Sequence, residues 1–85
     1  MSEANLVNAK LDAAKLQKTN LTQANLSLAV LRGALLNNAI LRQANLKGAK
    51  LSNAILDGTD LTEADLREAD FHSADLRGAC LDRQD

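Results

Sequence analysis

Large apolar residues occur at every fifth position of this chain, from Leu6 to Leu81, without a break in register. All sixteen are leucine except Phe71, and the residue two places before each is alanine, or threonine at Thr19 and Thr59. A period of five fits neither the 3.6-residue period of a helix nor the two-residue period of a strand. The pattern therefore predicts a repeated five-residue unit in place of conventional helices and strands.

Each unit is described here from its central apolar residue: the small residue is at −2, and the other positions are −1, +1 and +2. Glycine and asparagine tolerate positive φ, so a position that collects them is expected to be a turn. Alternate residues of an extended segment share a face, so the central residue and position −2 should point inward together. Position +2 holds all four glycines and three asparagines: Gly33, Gly48, Gly58, Gly78, Asn8, Asn38 and Asn53.

A short extended segment followed by a corner, repeated along the chain, predicts an all-β coil. If four units close one turn, a coil has 20 residues and neighbouring coils pair as parallel strands about 4.8 Å apart. Four-sided closure leaves the least empty volume around a leucine-sized filling, although other numbers of sides stay open. Two of the resulting interior ladders are Leu6, Leu26, Leu46 and Leu66, and Leu11, Leu31, Leu51 and Phe71.

The units also carry a more specific signature. Residues 24–26 and 44–46 read Ala-Asn-Leu, and residues 64–66 and 74–76 read Ala-Asp-Leu. Over residues 4–83 the chain resembles the pentapeptide repeat proteins, whose pattern is A(D/N)LXX. The resemblance implies one domain over residues 1–85, a right-handed quadrilateral parallel β-helix of about four coils with four pentapeptides each. It also implies a protein-binding scaffold, because the best understood members of that family are protein-binding scaffolds and a subset mimics DNA and binds DNA gyrase, whereas most members have no assigned biochemical activity.

Position −1 on one side of the coil reads Asn5, Asn25, Asn45 and Asp65 from coil to coil. Stacked amides can form hydrogen bonds with one another along such a column. We therefore expect this column to be structural.

Apolar residues interrupt the polar character of position −1 in the second coil. Val30, Leu35 and Ile40 fall on three consecutive sides, Ile55 should stack on Leu35, and Leu28 lies nearby at another outward position. We call these five residues the apolar belt. They are either tolerated surface residues or a contact site, because contiguous apolar patches tend to mark contacts. We predict a self-association or partner surface centred on Leu35 and Ile55.

The net charge of −1 conceals two unlike halves. Residues 1–56 hold seven basic and two acidic residues (+5), whereas residues 57–85 hold three basic and nine acidic residues (−6). Such a separation favours head-to-tail stacking or a different partner at each end, unless the charges are merely solvated. Four aspartates at position −1, the acidic ring, should surround the last coil: Asp60, Asp65, Asp70 and Asp75.

Several classes of chemistry are disfavoured. His72 is the only histidine, points outward and has no serine or cysteine arranged for activation, so we assign no catalytic residue. The acidic ring puts neighbouring carboxylates on different sides, too far apart to share a metal ion, and we expect no cofactor. Nucleic-acid binding is not expected, since only one aromatic residue is present. DNA mimicry at gyrase stays the alternative function, although basic residues interrupt the acidic pattern.

The expected partners are therefore proteins. Few residues flank the repeats, so we expect bare ends or the apolar belt to drive homo-oligomer formation, unless a missing neighbouring segment caps the ends. No signal peptide or membrane span is seen, and the single cysteine, Cys80, cannot form an internal disulfide. These features predict a cytoplasmic protein without a membrane partner.

Overall fold

The computed structural model describes residues 3–81, so residues 82 and 83 of the last predicted unit lie outside it. Within residues 3–81 the backbone has no helix and no strand longer than one residue. Instead, the −1 residue of each unit forms an isolated parallel bridge to the residue 20 positions away, from Asn5 with Asn25 to Asp60 with Cys80. The predicted 20-residue, four-sided coil is confirmed, and the chain is a right-handed quadrilateral β-helix. We number its coils 1 to 4: residues 4–23, 24–43, 44–63 and 64–81.

Three kinds of backbone hydrogen bond join each coil to the next. The central Leu26 N–H donates to the Asn45 carbonyl at 2.7 Å, and the Leu28 N–H donates to the Lys47 carbonyl at 2.9 Å. In the opposite direction the Asn45 N–H donates to the Ala24 carbonyl at 2.9 Å. Because these bonds recur on every side, the short bridges form a continuous ladder that satisfies the buried backbone.

The predicted turn position is confirmed, and it extends beyond glycine and asparagine. Position +2 has positive φ in each described unit, including Ala13 (59°) and Leu28 (60°). The following N–H closes the turn, as Ala29 does by donating to the Leu26 carbonyl at 3.0 Å. Positive φ at the third residue is the feature of a type II turn. Residues with a Cβ pay about 1 kcal/mol for this conformation, and the bonds between coils maintain it.

The core lies in the middle of the solenoid. Every central leucine from Leu21 to Leu61 is at most 1% exposed, whereas Leu6 and Leu66 in the end coils are only half-buried. Thr59 is fully buried at a position usually held by alanine, and its hydroxyl donates to the Leu36 carbonyl at 2.6 Å. Coils 1 and 4 therefore cover a closed interior formed mainly by coils 2 and 3.

Candidate interaction surface

The bridged −1 residues form four outward columns, which define four faces of the solenoid. Since the coil has four sides, faces 1 and 3 are opposite each other, as are faces 2 and 4. From coil 1 to coil 4, the columns are Asn5, Asn25, Asn45 and Asp65 on face 1; Lys10, Val30, Lys50 and Asp70 on face 2; Lys15, Leu35, Ile55 and Asp75 on face 3; and Asn20, Ile40, Asp60 and Cys80 on face 4.

This arrangement separates most of the apolar belt. Leu35 and Ile55 are directly bridged on face 3, as their spacing predicts, and both side chains are half-buried. Val30 lies on face 2 and Ile40 on face 4, so these two residues point in opposite directions. The only vertical apolar pair in the four columns of the described chain is therefore Leu35 and Ile55.

Leu28 lies at the corner between faces 1 and 2, apart from that pair. Its side chain is 57% exposed and lies against the backbone of Gly48 in the next coil. A Cβ added to Gly48 would come within 2.8 Å of the Leu28 Cδ2 atom. Glycine at that corner thus makes room for the leucine above it. Leu28 consequently shares no face with Leu35 and Ile55.

Asparagine and aspartate at position −1 have a local structural role that the sequence reasoning missed. In all eight described units with either residue, the side-chain oxygen accepts a hydrogen bond from the backbone N–H two residues later. Asn25, for example, accepts from the Ser27 N–H at 3.1 Å. This Asx geometry supplies an acceptor for an N–H at the start of the turn. The signal available in the sequence was that each asparagine or aspartate at position −1 stands two residues before the N–H that it caps.

The column of face 1 is thus structural, but the predicted mechanism is wrong. Among residues 3–81, its amides form caps within their own units and no hydrogen bonds with one another. An amide ladder does occur at a corner, where the Gln23 side chain donates to Gln43 at 3.1 Å and Gln43 donates to Glu63 at 3.0 Å. Longer side chains span neighbouring coils there, while Asn finds a nearer partner in its own turn.

The acidic ring has one aspartate on each face, and all four of them cap their own turns. Asp65 and Asp75 also form ion pairs at 2.7 Å with Arg67 and Arg77. Asp60 pairs with an arginine of the preceding coil at 3.4 Å. Three of the four carboxylates of the acidic ring are therefore paired with arginines, although the net charge of −6 over residues 57–85 already includes Arg67 and Arg77.

Within residues 3–81, the structure does not bring side chains together into a catalytic or metal-binding cluster. His72 and Cys80 are both exposed and belong to different sides, and the cysteine sulfur lies 3.3 Å from the Thr62 hydroxyl. The described surface has no pocket and no cluster of three potential metal ligands. Nor does this part of the chain contain a helix with the length and apolarity needed to cross a membrane. The described surface therefore consists of faces without a pocket.

The repeat itself matches a known family. The family model described as pentapeptide repeats (8 copies) matches residues 4–43 and again residues 44–83. The chain belongs to the pentapeptide repeat family. Pentapeptide repeat proteins are generally non-enzymatic structural modules. No curated protein sequence is significantly similar to the chain.

Solved pentapeptide repeat proteins share the fold. The chain is 33% identical to the pentapeptide repeat protein Rfr23 from the cyanobacterium Cyanothece 51142, with a TM-score of 0.97 over 99% of this chain and 58% of that one. It is 36% identical to alr5209, a pentapeptide repeat protein from Nostoc Pcc 7120, with a TM-score of 0.60 over 91% of this chain and 64% of that one. The chain thus spans less than two thirds of each solved protein.

The ion pairs of this pentapeptide repeat protein shift the titration of its aspartates. Hydrogen bonds from Arg67 lower the pKa of Asp65 to about 2, and those from Arg77 lower the pKa of Asp75 to about 2. Burial acts to raise the pKa of Asp60, but hydrogen bonds from Thr62 and Arg42 outweigh it and the pKa lies below its ordinary value.

Acidification from pH 4 to pH 2 is expected to destabilise the wild type more than the double variant Asp65→Asn/Asp75→Asn. The folded pKa of about 2 lies below the ordinary value of 3.8, so the unfolded chain takes up protons first and falling pH favours unfolding. Asparagine keeps the capping oxygen but does not titrate. Urea unfolding at several pH values measures the difference. Equal slopes for wild type and the double variant would refute the expectation.

Proposed function

We propose that this chain is a non-enzymatic protein-interaction module whose contact surface is face 3. The observation that carries the proposal is the bridged pair of Leu35 and Ile55, two large aliphatic side chains presented outward one above the other. Elsewhere in the repeat this position favours asparagine or aspartate, which caps the turn. Face 3 lacks asparagine or aspartate at this position in coils 1 to 3, and in coils 2 and 3 the position holds contiguous apolar side chains, which tend to mark contact sites.

The scaffold suits such a role because its faces are rigid. The −1 residue of each inner unit makes two backbone hydrogen bonds to the preceding coil, as Leu35 does with Ala14 at 2.9 Å and Leu16 at 2.8 Å. The residues on either side of it bond to the following coil: the Leu36 N–H donates to the Ile55 carbonyl at 2.8 Å, and the Ala34 carbonyl accepts from the Ile55 N–H at 2.9 Å. A partner therefore meets a backbone that is already ordered, which lowers the entropic cost of binding. Flat faces without a pocket fit a protein partner better than a small molecule.

DNA mimicry at gyrase receives less support from the charge arrangement. A phosphate-like surface needs uncompensated acids repeated along the solenoid axis, whereas the acidic ring spans one turn, from Asp60 in coil 3 to Asp75 in coil 4, with one aspartate on each face. Two of its four carboxylates, Asp65 and Asp75, are in addition paired with arginines of their own units. Lys15 and Lys50 place positive charge on faces 3 and 2, above the acids.

The double variant Leu35→Asn/Ile55→Asn tests the proposal. Asparagine is common at this position and caps the turn, so the variant is expected to fold, and its circular dichroism should match the wild type. We expect it to lose the proteins that the tagged wild type captures from a lysate of its source organism, or to change molar mass by light scattering. Val30→Asn/Ile40→Asn makes the same change on faces 2 and 4 and should behave as wild type. Unchanged capture and unchanged molar mass in the face 3 variant would reject the proposed function.

A further inference from the structure

We propose that face 3 binds face 3 of a second copy of this chain, with the two solenoid axes antiparallel. The inference rests on the proposed function, and it identifies the protein partner of face 3 as a second copy of the chain. It comes from the order of residues along the column, which runs from Lys15 through Leu35 and Ile55 to Asp75. A cation stands at one end, an anion at the other, and two aliphatic side chains lie between them.

This order is self-complementary under one symmetry only. A two-fold axis lying across the face, halfway between Leu35 and Ile55, reverses the column on the second copy. Lys15 then meets Asp75 of the second copy, and Leu35 meets Ile55, with each contact made twice as an isologous interface requires. A two-fold axis along the solenoid would instead oppose Lys15 to Lys15 and Asp75 to Asp75. The charges therefore select the antiparallel pair and disfavour the parallel one.

The other three faces do not have this property. Reversal of face 2 sets Val30 against Lys50, and reversal of face 4 sets Ile40 against Asp60, so an apolar group would be buried against a charge. Face 1 is polar throughout. Only face 3 places apolar residues opposite each other at its centre and also opposite charges against each other at its margins.

The residues beside the column permit close approach. At the corner that precedes face 3, the position nearer to the column, +2, carries only small side chains, at Ala13, Gly33, Asn53 and Ser73, whereas the larger Arg32 and His72 lie at position +1, one residue farther from it. On the other flank, reversal places Asn37 opposite Asp57, a pair able to form a hydrogen bond, and Gln17 opposite Arg77. Arg77 already holds Asp75 at 2.7 Å, so Lys15 of the second copy would join an existing ion pair.

The size of the face sets the strength of the dimer. Four coils about 4.8 Å apart give a height of about 19 Å, and the backbone is 23 Å across, so one face offers at most about 440 Å². The two copies together would bury about 900 Å², which is the size of transient interfaces. The dimer is accordingly a reversible one, with a micromolar or weaker dissociation constant.

Charge variants test the contact between Lys15 and Asp75, and the size of the assembly separates a closed dimer from a head-to-tail stack, which would bring the same two residues together but add copies without limit. Sedimentation equilibrium across concentration at about 50 mM salt should show a monomer–dimer equilibrium for the wild type. Lys15→Glu and Asp75→Lys each oppose like charges at both margins and should weaken dimerisation about tenfold. The combination Lys15→Glu/Asp75→Lys should restore it. Asp65→Lys is the matched control, because it loses the same cap and arginine partner on face 1 and should dimerise as wild type.

Chemical cross-linking, together with the size of the cross-linked species, tests the relative orientation of the two copies. A zero-length carbodiimide reagent should join Lys15 to Asp75 between chains in a mixture of isotope-labelled and unlabelled protein. Within one chain these residues are three coil spacings apart, about 14 Å, which is too far for that bond. A cross-linked peptide pair containing both isotope labels, in a species no larger than a dimer, would therefore place the copies antiparallel, whereas the same pair in larger, open-ended species would indicate a head-to-tail stack.

The outcomes separate this inference from the proposed function. A monomer at all concentrations, a dimer indifferent to the charge variants and cross-linked elsewhere, or a head-to-tail stack that grows beyond a dimer overturns the antiparallel pair. If the chain is monomeric yet Leu35→Asn/Ile55→Asn still abolishes partner capture, face 3 serves another protein and only this inference fails. If neither mass nor capture depends on face 3, both proposals fail.

Discussion

Replacing Leu46 by alanine is expected to destabilise the fold by about 3 kcal/mol. Leu46 is fully buried and lies between Leu26 and Leu66 in one interior ladder. The backbone of its coil is hydrogen-bonded to both neighbours, so the wall has little freedom to collapse into the space that the side chain leaves. Removal of the side chain should consequently add the cost of a cavity to the lost transfer free energy.

Leu6→Ala is the matched control, because it makes the same change in the same ladder at a half-buried position of coil 1. Its loss should be about half as large or less, since the side chain has less apolar surface to lose from burial. The free energy of unfolding, measured in urea by circular dichroism, compares the two variants. Equal losses would mean that the middle of the solenoid is no better packed than its end, contrary to the burial described above.

The fold was predictable because one backbone conformation repeats in every unit that the structure describes completely. Glycine and asparagine at a few units, such as Gly33 and Asn8, were enough to locate a turn that Ala13 and Leu28 also adopt. Once the bonds between coils set the backbone, each unit must follow it whatever its side chain. The 20-residue offset likewise placed Ile55 on Leu35 without any knowledge of their contacts.

The details that escaped prediction depend on side-chain reach. Asn25 and Asn45 share a column, but each side chain is short and finds the N–H of its own turn before it finds its neighbour. Asp12 shows the converse: it crosses to coil 2, where Val30 offers no cap, and accepts from the Arg32 N–H at 3.1 Å. A periodic pattern specifies which residues are near one another, and it leaves the choice among nearby partners to local geometry.

The candidate surface, too, was predictable from the sequence only in part. Residue spacing alone was sufficient to pair Leu35 with Ile55, but the apolar belt treated as one patch includes Val30 and Ile40, which the four-sided coil turns to opposite sides. Formal charge likewise indicated an acidic end, whereas the Arg67 and Arg77 side chains fold back on the aspartates two residues before them. Which faces can meet a partner therefore depends on the closed coil and its ion pairs together.

Ala44→Leu is expected to destabilise the fold by about 3 kcal/mol, through the opposite fault of overpacking. Ala44 is 1% exposed, and the residues above and below it in the column, Ala24 and Ala64, are fully buried. The Asn45 N–H donates to the Ala24 carbonyl and the Asp65 N–H to the Ala44 carbonyl, both at 2.9 Å, so the coils on either side cannot separate without breaking bonds. Three additional carbon atoms would have to displace the leucines of the interior.

The threonine exception explains why this position is so restrictive. Thr59 fits the same slot on another face only with its hydroxyl bonded to a carbonyl, which allows close approach. Leucine has no such partner. Ala4→Leu makes the same change in coil 1, where the site is half-buried, and should cost clearly less. Urea unfolding of both variants tests this, with the dependence on denaturant checked for constancy. If Ala44→Leu unfolds at the wild-type urea concentration, the alanine columns contain unfilled volume, and close packing does not explain why the repeat keeps them small.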